Sequence, residues 1–270
     1  MSTGPNTASG TAEAAHPLPS SQSMPDQTRS LAPPAFAGFD TDGYPGDAHM
    51  QVWKKTSPYV FAGYYLHAPC HGDRGWMGHR AALAAMGWNL VPIYVGQQVA
   101  GVSPCKSSIL TAAQGHADGL DCCKTMASEG FAKGSFAYLD VERTDAYPAT
   151  LRAYIAAWIS TVAAGGFGPG VYCHKFNAPN VRATVQAALT ASAQTKPRFW
   201  IVGGVIADFD IQTSRPSASG IALADMWQCP QSVERTYGGV KLPIDEDLAT
   251  HNDPAAPDPV PAPPGIPSTT

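Results

Sequence analysis

From residue 37 to residue 249, short apolar runs alternate with longer segments of helical periodicity. Strand-like runs stand at AGFD (37–40), FAGYY (61–65), NLVPIYVG (89–96), SFAYLDVE (135–142), GPGVYCHK (168–175), RFWIVGG (198–204), ALADMWQCP (222–230) and LPIDEDLA (242–249). Between them, GWMGHRAALAAMG (75–87), residues 107–129, ATLRAYIAAWISTVAAGG (149–166) and NVRATVQAALTA (180–191) have the spacing of helices. Pro92 counts against its run as a mid-sheet strand, because proline cannot donate to a ladder. Strands alternating with helices of this length mean βαβ units and a parallel sheet. Eight of them in about 215 residues predict an α/β fold, a (β/α)8 TIM-type barrel irregular in its last third, where helices drop out. A doubly wound sheet is the rival, but FDTDGYPGD after the first run is no glycine-rich nucleotide fingerprint.

The flanks differ in composition. Residues 1–35 are Ser, Thr, Pro, Ala and Gly with few large apolar side chains, and 253–270 are rich in Pro and Ala. Neither stretch can bury enough surface to offset its ordering entropy, so both predict tails around a domain spanning 36–252. A net charge of −4 excludes the dense basic footprint of a nucleic-acid binder. No apolar run is long enough to span a bilayer. The first residues lack the basic and apolar regions of a secretory signal, which predicts a chain cytoplasmic until lysis, or exported by a signal-independent machine. Six cysteines are too sparse for a disulfide scaffold, although Cys70 and Cys105 follow neighbouring strands and could pair in an oxidising compartment.

Side chains alternate along a strand, so parity sorts the candidate chemistry. In 135–142, Ala137, Leu139 and Val141 suit packing under helices, and Phe136, Tyr138, Asp140 and Glu142 take the other face. The same division sets Val171 and Cys173 against Tyr172 and His174, and Val91, Ile93 and Val95 against Tyr94. The polar-aromatic face is expected to point into the barrel, toward the mouth at the C-terminal strand ends. Asp140 and Glu142, at i and i+2, have Cβ atoms about 6–7 Å apart on one side. Two carboxyls so close, shielded from water, cannot both ionise easily, which leaves an acid beside an anion near neutral pH. Glycosidic cleavage needs that division of labour.

In order and spacing, GFD, YLDVE, GVYCH, FWIVGG, MWQC and PIDEDLA resemble the family-twenty-five lysozyme-type muramidases. The run AMGWNLVPIYVG brings the chain closer to a related bacterial group, the glycoside-hydrolase-like barrels of domain of unknown function 1906. The resemblance implies hydrolysis of a β-1,4 bond in peptidoglycan-type N-acetylated glycan. Glu142 would be the proton donor and Asp140 its electrostatic partner, with Asp40 and Asp245 at the cleft floor. It also implies sugar contacts from Tyr94, Tyr172 and Gln228, to which Tyr64 and Trp227 are added as aromatic candidates. The segments after Asp40 and over 66–79 depart from the muramidase pattern, so the glycan itself is left open.

An inactive barrel binding cell-wall glycan or a protein partner is the alternative from another class. A metal-assisted phosphodiesterase using Asp40, Asp140, Glu142 and His174 is a weaker one. His67, His71, Asp73 and His79 match no strong metal signature, and neither a G-x-S-x-G elbow nor a Walker loop occurs. The expectation is therefore an enzyme without cofactor or metal, acting as a monomer.

Overall fold

The computed structural model describes residues 35–101, 105, 107–189, 196–204 and 209–259; the expected tails beyond these bounds lie outside the described residues. Seven strands run parallel in chain order: β1 (Phe36–Asp40), β2 (Phe61–Tyr65), β3 (Asn89–Val95), β4 (Phe136–Val141), β5 (Gly168–His174), β6 (Arg198–Val202) and β7 (Met226–Gln228). The last strand, β9 (Val240–Ala249), lies antiparallel between β7 and β1 and closes an eight-stranded barrel. A ninth strand, β8 (Val233–Tyr237), forms a hairpin with the first half of β9. Its two-residue turn, Gly238–Gly239, has φ of 56° and 82°, the left-handed pair a tight hairpin requires.

Helices α1 (Asp47–Thr56), α2 (Arg80–Ala85), α3 (Ala112–Ser128), α4 (Ala149–Ala164) and α5 (Ala178–Ala188) follow β1 to β5. Among the described residues only a 3₁₀ turn, Pro216–Ser219, lies between β6 and β7, so the barrel is irregular in its last third. Helix α3 begins at Ala112, five residues after the expected start at 107, capped by Thr111, whose hydroxyl accepts the amide of Gln114 at 3.1 Å. Gly115 and Gly119 let α3 lie against α4: a Cβ at Gly115 would collide with the carbonyl of Tyr154, and one at Gly119 with Thr161.

The strand faces divide the core in two. Ala137, Leu139, Val171 and Ile201 pack outward under the helices. Phe61, Val91, Ile93, Phe136, Tyr138, Trp200 and Met226 fill the interior. Rings take the space left by missing side chains, for a Cβ at Gly38, Gly168 or Gly170 would enter the ring of Phe61, Phe136 or Tyr138 respectively. Pro92 is accommodated because the ladder to β4 begins only at Ile93. The packed chain also continues past residue 252: the carbonyl of Pro254 accepts bonds from Tyr138 Oη at 2.9 Å and Arg198 Nη1 at 2.7 Å. Arg198 lies 3.8 Å over the Phe136 ring and pairs with Asp258, closing the end opposite the mouth.

Cys70 and Cys105 form a disulfide with Cα atoms 5.1 Å apart, joining the loops after β2 and β3. The bond closes a loop spanning 35 residues, so serine at both positions should lower stability by about 3 kcal/mol. Urea unfolding reads this as a lower midpoint; an unmoved midpoint would show that the closure constrains nothing.

Candidate active site

The parallel strands all end at one rim, and antiparallel β9 brings its first half to the same rim. Asp40, the last residue of β1, is directly opposite Asp245. Asp140 ends its pairing beside Val95 on one flank and Tyr172 on the other. Glu142 stands one residue past β4, more exposed than Asp140. Asp40, Tyr65, Asp140, Glu142 and Asp245 line both an outer cavity of about 450 Å³ and an inner recess of about 90 Å³. Tyr172, Trp200 and Gln228 complete the recess.

The floor is a hydrogen-bonded network. Asp40 accepts Tyr65 Oη at 2.7 Å on one oxygen and Gln228 Nε2 at 2.6 Å on the other. Gln228 Oε1 accepts Tyr172 Oη at 2.7 Å and Gln231 Nε2 at 2.8 Å. Asp245 accepts the amide of Ser232 at 2.5 Å. Beneath them Asp247, fully buried, accepts Trp200 Nε1 at 3.0 Å. Its other oxygen meets no donor. Burial, then the charges of Asp40 and Asp245, hold Asp247 well above the carboxylate range and favour its neutral form.

So many carboxyls in one enclosure raise one another's proton affinity. Burial, then the charge of Asp245, pushes Asp40 up to about 7. Burial, followed by Glu142 and Asp40, holds Asp140 well above the carboxylate range, and one of its oxygens is buried with no hydrogen-bond partner among the described residues. Glu142 is raised by partial burial and by Asp245, and Asp245 chiefly by burial. The Asp140–Glu142 pair titrates as a unit, its proton resting on the more deeply buried Asp140. The arrangement can deliver a proton to a bound group and take one back.

Glu142, Asp140, Asp40, Tyr172, Gln228 and Asp245 thus meet around one cavity, but three expected sugar contacts do not join them. Tyr94 points outward, its hydroxyl on Asp121 of α3 at 3.1 Å and its ring against Trp158 of α4. Tyr64 also points outward, onto Glu129 at the end of α3. Trp227 donates to the carbonyl of Gly203 at 3.2 Å and packs on Phe209, away from the recess. These corrections share a cause. The barrel interior below the mouth is itself apolar, so Val91, Ile93 and Val95 fill it and β3 is turned the other way round. The site instead holds Tyr65 and Trp200, each on the opposite parity from its expected neighbour. A second aromatic tyrosine in FAGYY was the signal for Tyr65. His71 lines the outer cavity with its ring 5.0 Å from Tyr65, whereas His79 turns away to Asp47 at 2.9 Å.

A family model described as "Rv2525c-like, glycoside hydrolase-like domain" matches residues 51–249. The chain belongs to this family. Two solved structures of the Tat-secreted protein Rv2525c of Mycobacterium tuberculosis share the fold. The complex with L-tartrate has a TM-score of 0.52 at 15% identity, covering 80% of this chain and 95% of that one. The complex with HEPES has a TM-score of 0.51 at 16% identity, with the same coverage. No curated protein matches the chain. Rv2525c is Tat-secreted, which overturns the expectation of a Rv2525c-like chain kept in the cytoplasm until lysis or exported without a signal. Reading the N-terminal composition alone misled here. The Cys70–Cys105 disulfide agrees with the correction, since such bonds persist in oxidising surroundings.

Proposed function

We propose that this Rv2525c-like protein is an exported glycoside hydrolase that cleaves a β-1,4 bond in peptidoglycan-type N-acetylated glycan. The observation that carries the reading is the coupled Asp140–Glu142 pair, raised in proton affinity and facing one cavity at the barrel mouth. The resemblance of the YLDVE strand end to the family-twenty-five muramidases supports the same assignment. Export rests on the likeness to a Tat-secreted protein and on the disulfide.

A sugar bound over Glu142 strips water from it, and an acetamido N–H donated to Asp140 favours the Asp140 anion. The proton of the pair therefore moves to Glu142. Glu142 gives it to the glycosidic oxygen as the bond from that oxygen to the anomeric carbon breaks. Asp140 holds the acetamido group, whose carbonyl oxygen can shield the anomeric carbon as positive charge develops. Water then attacks that carbon, Glu142 takes the water's proton, and the pair is restored. Asp40 and Asp245 at the floor accept sugar hydroxyls, and Tyr172 and Gln228 fix the floor.

Digestion of purified peptidoglycan, with products weighed by mass spectrometry, tests the reading. The expected result is disaccharide-peptide fragments with new reducing ends. Retained glycan binding without new reducing ends would replace the hydrolase with an inactive glycan-binding barrel.

A further inference from the structure

The ladder between β3 and β4 ends at Val95 opposite Asp140, two residues before Glu142. Beyond it the chain turns away as Gly96–Gln97–Gln98, yet the end of β4 is not left bare. The side-chain amide of Gln98 donates from Nε2 to the carbonyl of Asp140 at 2.8 Å. Its Oε1 accepts the amide of Glu142 at 3.2 Å. In a parallel ladder one residue bridges the carbonyl and amide that flank a neighbour's residue in this way. Gln98 is buried, at 1% exposure, so these bonds face no competition from water, and Nε2 also donates to the Gly96 carbonyl at 3.4 Å.

We propose that Gln98 is a positioning residue for the Asp140–Glu142 pair, its side-chain amide serving as the missing last rung of the β3–β4 ladder. Only a group with a donor and an acceptor at that reach does this, and Gln98 has both on one planar amide. The rung fixes the backbone on both sides of Val141, and with it the side from which the two carboxyls enter the cavity. The loop carrying Gln98 is itself held. Gln97 Oε1 accepts Ser107 Oγ at 2.6 Å and the Ile109 amide at 3.0 Å, and the Gln97 amide donates to Tyr154 Oη at 3.1 Å. The Cys70–Cys105 disulfide ties the same loop to the end of β2.

The consequence for catalysis rests on the hydrolase reading, but the rung does not, and the test separates them. Amide hydrogen exchange at Glu142, read by NMR, reports the rung without any substrate. Gln98→Met keeps the volume and removes both bonds, so the Glu142 amide should exchange ~10-fold faster, the equivalent of one net hydrogen bond. Gln98→Glu gives the sharper readout, because only a protonated glutamate presents the donor and acceptor of an amide. Its carboxylate keeps the acceptor for the Glu142 amide but, once ionised, has no donor for the Asp140 carbonyl, so the Asp140 carbonyl-carbon resonance should show an upfield step as the pH rises that the unsubstituted protein lacks. That titration does not use Gln98→Met, so it decides even if Gln98→Met does not fold. In the digestion assay, kcat of Gln98→Met should fall more than KM rises, and Gln98→Glu should recover toward acid pH relative to the unsubstituted protein. Unchanged Glu142 protection in Gln98→Met, or an Asp140 carbonyl resonance in Gln98→Glu that shifts with pH just as in the unsubstituted protein, would overturn the proposal. An unsubstituted protein that releases no reducing ends, while Glu142 protection still depends on Gln98, would discard the hydrolase and leave the rung standing.

Discussion

Glu142→Gln should reduce the release of reducing ends from peptidoglycan by about 10²–10⁴-fold, the range for loss of a general acid–base group. Glutamine keeps the size and the hydrogen-bonding reach of Glu142 but can neither supply nor recover a proton. Glu142 is more exposed than Asp140, and the recorded bond at residue 142 is from its backbone amide to Gln98, so the fold should survive the change. The melting temperature should stay within the error of the unsubstituted protein, and glycan binding should persist. Asp140→Asn should also impair cleavage, because it deprives the pair of its shared proton. Undiminished cleavage by Glu142→Gln would remove that residue from the mechanism.

Stability should fall as the pH rises from about 4 to 7, opposite to the usual behaviour of proteins held by ionised carboxylates. Asp40, Asp140 and Asp247 all bind protons more tightly when buried in the folded chain than they do unfolded. The stability they contribute is fully present below the ordinary carboxyl range and is lost as the pH climbs through their raised values. For Asp40 that window closes near 7. The summed loss is on the order of a few kcal/mol, readable as a falling melting temperature across the series. Asp247→Asn isolates one contributor. An asparagine reproduces the protonated acid, with its oxygen toward Trp200 and its NH₂ toward Asp40. It should flatten the slope and raise the melting temperature at about pH 8, where Asp247 would otherwise lose its proton or keep it at a cost. A melting temperature that rises between pH 4 and 7 would contradict the burial argument.

The parts of this molecule that could be read from its residues were those where polarity itself alternates. In β4 the switch from Phe136–Tyr138 to Asp140–Glu142 on one face identified the mouth, and β5 repeated it with Tyr172. In β2 and β3 both faces are apolar because both are buried, one under helices and one inside the barrel, and parity had nothing to distinguish. Tyr64 and Tyr94 were misplaced for that reason. Helix α1 went unread because it buries only Met50 and Trp53 and leaves no apolar stripe. The strand β8, with its exposed alternate positions, likewise lacks a hydrophobic run. Asp245 and Asp247 sharing a face was legible from spacing, but the burial of Asp247 beneath Asp40 depends on β9 returning antiparallel between β1 and β7. The bonds from Tyr138 and Arg198 to Pro254 depend on the same long-range closure, within a Pro/Ala-rich stretch whose composition suggested no ordered contact.

Carboxyl carbon NMR of Asp140 and Glu142, followed from acid to alkaline pH, bears most directly on the chemistry assigned to the mouth. Two linked steps are expected, both displaced above the ordinary carboxylate range, with the proton lost last resting on Asp140. Independent titrations of both groups at ordinary carboxylate values would mean that no acid is held there, and the barrel would have no means of breaking a glycosidic bond by this route.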